Sequence, residues 1–203
     1  IKKLIFLPRP CASPIGIDPV LMKVLPTSLE YLRLAPAEQL APLNAWVHDL
    51  QRFDKLRTLW VRPNSQNPDV VLYNCKLLTG LPNTITKLYI LTEPSWTTHS
   101  DLFDHLPPGL LFLQASVMYY EEDPMPFTDQ HFTKLPRSLT SLSISPTQAI
   151  SGVFFQTAPP HLTSIDFGST TPDFMEAKRA YYQQPQWEGF PPEAIAQTTP
   201  LED

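Results

Sequence analysis

The chain has little cysteine, little glycine and no excess of positive charge. Its two cysteines, Cys11 and Cys75, lie far apart, and no paired cysteines bracket the sequence. This argues against a disulfide-stapled framework and favours an intracellular origin. Glycine occurs only six times in 203 residues, and no glycine-rich phosphate loop is among them. Lysine and arginine total 15 against 20 acidic residues, a net charge of −5. Such a balance gives no support to nucleic acid as a partner. No apolar run approaches the roughly 20 residues that a membrane-crossing helix needs, so no membrane partner is expected. An Asn-x-Ser/Thr acceptor site is also missing.

Proline is abundant, at 24 residues. Each proline stops a helix or opens a strand, so the chain is set out as many fixed turns rather than flexible linkers. With 42% hydrophobic residues, it can bury a substantial core as one domain. The most informative stretch runs from Leu135 to Ser145. Leu142 and Ile144 alternate there with Ser141, Ser143 and Ser145, which is the period of a strand with one buried face. Pro136 marks where that strand's approach begins.

The pattern Leu-Pro-x-x-Leu-x-x-Leu-x-apolar recurs. Four good copies cover Leu25–Leu34, Leu81–Ile90, Leu106–Ala115 and Leu135–Ile144. Weaker copies cover Ala158–Phe167, Phe53–Val61 and Ile1–Phe6. Their central apolar residues are Leu4, Leu32, Leu59, Leu88, Leu113, Leu142 and Ile165, separated by 28, 27, 29, 25, 29 and 23 residues. A period in the twenties with this core is the signature of a leucine-rich repeat, one strand and one return per coil.

On these residues the chain resembles leucine-rich repeats of the LPxxLxxL kind, found in bacterial effectors and in the FNIP-type repeats of amoebae. Leu139-Thr140-Ser141-Leu142 and Leu162-Thr163-Ser164-Ile165 come nearest to the FNIP type. The Phe-Asn-x-Pro element of that type is absent, and so is the asparagine that many repeats place after the strand. The resemblance implies an α/β solenoid: a curved right-handed stack with a parallel sheet on its concave face and short helices on the convex side. Residues 1–171 would form about seven coils. Residues 172–203 would form a capping helix and a proline-broken tail. The chain begins with Ile1 inside a repeat, which reads as a trimmed or mature fragment. An open edge at the first strand would allow self-association.

The returns carry fainter signals. The clearest helix is expected at about Ala37–Phe53, others at Pro19–Val24, Asp101–His105 and Phe174–Tyr182, and single helical turns at Thr128–Thr133 and Ser151–Thr157. A spacing of Phe, three residues, then Pro recurs at Phe103, Phe132 and Phe155. It is expected to plant one aromatic in the core of each of those coils. Phe174, Met175 and Tyr181 are expected to close the last coil.

Function is expected on the concave face, where alternate strand residues point to solvent. The predicted partner-binding set is Tyr31, Arg33, Trp60, Arg62, Lys87, Tyr89, Phe112 and Gln114. Exposed aromatics beside arginine are what protein-binding hot spots are made of. The alternative is that Tyr31 and Phe112 are covered by a loop or by the tail. Catalytic and metal-binding patterns are weaker. Cys75 near His48 or His99 has no supporting spacing, and the His99 to His105 and Glu121 to Asp123 stretches read as polar loops. No catalytic residue, metal or cofactor is expected. The leading reading is a non-catalytic module that recognises a protein or peptide. A structural segment of a longer repeat array, or an assembly subunit, is the alternative, and the substrate-recognition part of a ligase or other enzyme comes third.

Overall fold

Coils two to seven each open with the same turn. A residue at its start accepts a hydrogen bond from the amide three positions on: Leu29 to Pro26, Leu56 to Phe53, Ile85 to Pro82, Leu110 to Pro107, Leu139 to Pro136 and Leu162 to Pro159, at 3.0–3.3 Å. Proline suits this place because its φ is preset and the turn needs its carbonyl, not an N–H. In the third coil Phe53 holds the place without a proline. The leucine or isoleucine that ends each turn is fully buried, so every turn delivers an apolar anchor and then enters a strand.

The computed structural model describes residues 1–6, 19–34, 49–61, 78–92, 103–117, 127–145, 150–168 and 170–184. Seven strands follow one another: β1 (Lys3–Phe6), β2 (Tyr31–Leu34), β3 (Thr58–Val61), β4 (Lys87–Thr92), β5 (Phe112–Val117), β6 (Ser141–Ser145) and β7 (Ser164–Phe167). They form one parallel sheet in sequence order. The register has no slip: Leu4, Leu32, Leu59, Leu88, Leu113, Leu142 and Ile165 lie side by side. All of them are buried except Leu4, which is half-buried on the first strand. This is the α/β solenoid that the repeat implies, with a ridge of aliphatic side chains as its core.

A ladder that the sequence did not announce joins the coils at the strand entrances. The carbonyls of Lys2, Glu30, Arg57, Thr86, Leu111 and Thr140 each accept two amide N–H groups from the next coil, at 2.8–3.1 Å. Three hydroxyls reinforce it. Thr86 donates to the Arg57 carbonyl at 3.3 Å, Thr140 to Leu111 at 2.9 Å and Thr163 to Thr140 at 3.0 Å. On the turn just before, Thr84 donates to the Leu56 carbonyl at 2.8 Å and Ser138 to Leu110 at 2.7 Å. The polar positions of the repeat therefore stitch coil to coil.

Among the described residues the returns hold α1 (Pro19–Val24), a 3-10 turn at Asp129–Phe132, α2 (Phe154–Thr157) and, after β7, α3 (Pro172–Tyr182). Residues 103–105 form a turn and not the expected helix. Most of the helix expected over Ala37–Phe53 lies outside the described residues, but Leu50 and Phe53 from its end are fully buried. The aromatic spacing holds for Phe103 and Phe132 and shifts by one in the seventh coil. There Phe154 is buried, while Phe155 is half-buried against Phe174 and Tyr181 at ring-centroid distances of 5.0 and 5.2 Å.

Phe103, Phe127, Phe132, Phe154, Phe167 and Phe174 form a connected spine with centroid separations of 5.2–6.5 Å. Among the described residues these rings pack beside the buried leucines and isoleucines of the coils that carry β5, β6 and β7.

Thr171 precedes α3 and donates to the Ile150 carbonyl at 3.0 Å. The helix buries Phe174, Lys178, Tyr181 and Tyr182, whereas Met175, expected inside, is 46% exposed. Gly152 explains how closely α3 approaches: a Cβ there would lie 2.9 Å from Cβ of Ala177. The Gly152 amide donates to Asp173 at 2.9 Å. Hydrogen bonds from Thr171 and from that amide hold the Asp173 carboxyl below the usual carboxylate range.

Tyr181 donates to the Pro159 carbonyl and Tyr182 to the Leu162 carbonyl. Burial pushes the Tyr181 phenol up to about 12 and that of Tyr182 higher still. An unfolded tyrosine titrates near ~10. The raised folded values therefore add stability that is complete below that pH and lost as pH climbs through ~10 towards ~12. Lys178 has the opposite sign. Burial lowers its pKa despite attraction from Asp166, so its contribution improves as pH rises to the ordinary lysine range. The melting temperature, followed by circular dichroism, should fall steeply above pH ~10. Replacing both tyrosines with phenylalanine should flatten that fall. An unchanged alkaline slope would mean that the two phenols do not control it.

Candidate functional site

Alternation along each strand sends every second residue out of the core. The register arranges these residues in two parallel rows. One row reads Lys3, Tyr31, Thr58, Lys87, Phe112, Ser141, Ser164. The other reads Ile5, Arg33, Trp60, Tyr89, Gln114, Ser143, Asp166. The structure thus brings Tyr31, Arg33, Trp60, Lys87, Tyr89, Phe112 and Gln114 onto one face. Arg62 lies outside the described residues. Lys87 is exposed and the other six are half-buried.

Three contacts shape this surface. The Arg33 guanidinium carbon lies 4.2 Å from the centroid of the Trp60 ring in the next strand. The Lys3 ammonium stands 4.8 Å above the Tyr31 ring. Tyr89 and Phe112 lean together diagonally across β4 and β5, with centroids 4.8 Å apart and planes tilted by 39°. Cation–aromatic contacts of this kind contribute about 0.5–1 kcal/mol each at exposed sites. They also hold long side chains in fixed places, so less entropy remains to be lost when a ligand binds.

The two ends of the face differ in chemistry. Coils one to five carry the aromatics and the cations. The last two carry serines and Asp166, whose carboxylate accepts from the Ser143 hydroxyl at 3.1 Å. The ion pairs among the described residues are Lys2–Glu30 and Lys134–Asp104. They leave Lys3, Arg33 and Lys87 aside. Among the described residues the Nε of Arg33 is buried with no hydrogen-bond partner.

Cys75, His48, His99 and Glu121 to Asp123 lie outside the described residues. Asp104, from the stretch considered for metal, is paired with Lys134 instead. Among the described residues no three histidine, cysteine or acidic side chains come close enough to hold a metal ion. No described helix is long and apolar enough to cross a membrane.

No protein-family model matches the chain, and no curated protein matches it in sequence. Solved structures do match in fold. One is the crystal structure of the leucine-rich repeat-containing protein LegL7 from Legionella pneumophila, with a TM-score of 0.52 and 14% sequence identity. The match covers 88% of this chain and 59% of that one, so the chain spans little more than half the length of the solved protein. At this identity the likeness establishes the leucine-rich-repeat fold.

Proposed function

We propose that this leucine-rich-repeat chain is a non-catalytic recognition module that binds a partner protein or peptide on the solvent face of its sheet. That face is the concave side of such a fold. The reading is supported by one observation: Tyr31, Arg33, Trp60, Lys87, Tyr89, Phe112 and Gln114 stand in the two outward rows of the neighbouring strands β2 to β5. Arg62 follows β3 directly in sequence and extends the proposed set. Large, rigid aromatic groups and a stacked arginine bury area at low entropic cost, which is why such residues dominate binding energies. Their strands are tied on both sides by neighbours, so the surface is organised before the partner arrives.

Two chains carried in parallel through an affinity capture test this reading: the wild type and the Trp60→Ala/Tyr89→Ala variant. A specific partner should be retained by the first and lost from the second. Calorimetry on that partner should show binding weakened by about 2–4 kcal/mol in total. The variant should melt within a few degrees of wild type, because both side chains stand outside the core. Equal binding by the two chains, or a variant that no longer folds, would remove the assignment.

A further inference from the structure

We infer that the ligand segment is acidic: an extended stretch of polypeptide whose carboxylates lie over coils one to four and whose next apolar side chain rests on Tyr89 and Phe112. This rests on the binding face proposed above and names the chemistry that fits it.

The first argument is local charge against global charge. The chain carries −5 overall, yet the described outward positions of β1 to β5 hold Lys3, Arg33 and Lys87 and no acidic residue. Glu30 lies just before β2 and is occupied by Lys2 at 3.0 Å. The only acidic side chain in the two rows is Asp166, at the far end on β7. An acidic protein has thus gathered on one patch of one face cations that form no ion pair among the described residues, and charge complementarity of this kind selects partners and speeds their encounter.

The second argument is the state of those cations. Arg33 is flattened on Trp60, and among the described residues its Nε is buried without a hydrogen-bond partner. A carboxylate takes up a planar guanidinium through paired N–H donors, and a stacked arginine is already oriented for it. Lys3 is likewise steadied over Tyr31.

The third argument is spacing. Lys3 and Lys87 stand in the same row with three strand steps between them, about 14 Å at the usual strand separation. An extended chain rises about 3.4 Å per residue, so roughly four residues bridge that gap. Carboxylates about four residues apart would reach the two lysines while one between them faces Arg33. The next residue of the segment to face the sheet, two positions beyond the one over Lys87, then meets the Tyr89 and Phe112 rings. A densely charged polyanion such as nucleic acid would match the cations equally well locally. It would also face the net negative charge of the whole molecule along its length, which a short acidic segment does not.

The probe is a synthetic peptide with glutamates at that spacing followed by a leucine, compared with its glutamine twin and a single-stranded oligonucleotide by fluorescence anisotropy. The expected result is that the glutamate peptide binds, that its glutamine twin binds roughly tenfold more weakly or not at all, and that rising salt weakens the complex. Arg33→Glu/Lys87→Glu should abolish binding. If that double variant misfolds, Lys87→Glu alone decides, since Lys87 is exposed. The inference is overturned if the glutamate peptide does not bind, if its twin binds equally, if the oligonucleotide binds more tightly, or if charge reversal has no effect. A captured partner that needs Trp60 and Tyr89 but ignores charge reversal would leave the binding face standing and remove only its acidic ligand.

Discussion

Replacing Phe132 with alanine should destabilise the protein by about 3–5 kcal/mol, as large aromatic truncations in packed cores do. Phe132 is 1% exposed. Its ring lies 6.0 Å from Phe103, 6.5 Å from Phe127, 5.9 Å from Phe154 and 5.4 Å from Phe167. It is the residue through which the aromatic packing of one coil reaches the next. The gap left by its removal would be walled by four rings of the packed spine, and a cavity its surroundings cannot fully refill costs stability beyond the lost contacts. A domain of ordinary stability holds only about 5–15 kcal/mol in all, and this single change would take a large share. Urea denaturation gives the number. A loss below about 1 kcal/mol would show that the spine is loosely packed. Phe155→Ala, at a half-buried ring, should cost less than Phe132→Ala.

Leu142→Ala should cost about 2–5 kcal/mol by the same reasoning applied to an aliphatic core. Leu142 is fully buried on β6 and sits in register between Leu113 and Ile165. Both neighbours belong to other coils, so the cavity would open at two interfaces. Its chain neighbour Ser141 points the other way, and Ser141→Ala should fall within about 0.5 kcal/mol of wild type. The contrast between adjacent residues is the sharpest check of the strand alternation. A cost for Leu142→Ala under about 0.5 kcal/mol would place it at a surface and contradict that alternation.

The sheet was legible because its signal is repeated and local. Period two fixes which strand residues face inward, and seven phased copies fix which strands are neighbours. The returns were less legible for definite reasons. In a helix as short as Phe154–Thr157, adjacent phenylalanines differ by about 100° and no periodicity accumulates to choose between them. Phe154 therefore took the buried place expected of Phe155. Phe127 joins the spine from outside the Phe-to-Pro spacing, and no sequence pattern marked it. In the last helix, Met175 was expected inside on hydrophobicity alone. Tyr181 and Tyr182 are buried with their hydroxyls on carbonyls of the preceding turn, which ties that face of the helix down and leaves Met175 outside.

Legibility of the candidate site divides in the same way. Which residues share the face follows from alternation and register, and both were readable. That Arg33 lies on Trp60, or that Tyr89 leans diagonally onto Phe112, depends on side-chain torsions, and a one-dimensional pattern carries no information about those. The coil ladder was invisible for another reason. Its acceptors are backbone carbonyls, common to all residues, and only the threonines at positions 86, 140 and 163 hinted at it.

That ladder bears on how such a chain changes length. Each rung joins a carbonyl of one coil to amides of the next, so what a coil offers below is what it requires above. Coils two to four also carry buried aliphatic residues at matching turn and strand positions: Leu29, Leu32 and Leu34, then Leu56, Leu59 and Val61, then Ile85, Leu88 and Ile90. A gene segment encoding one whole coil, duplicated or deleted within this part, would leave matching surfaces at the join. The array can therefore grow or shrink in whole units, and the reach of its recognition surface would change by one strand width each time.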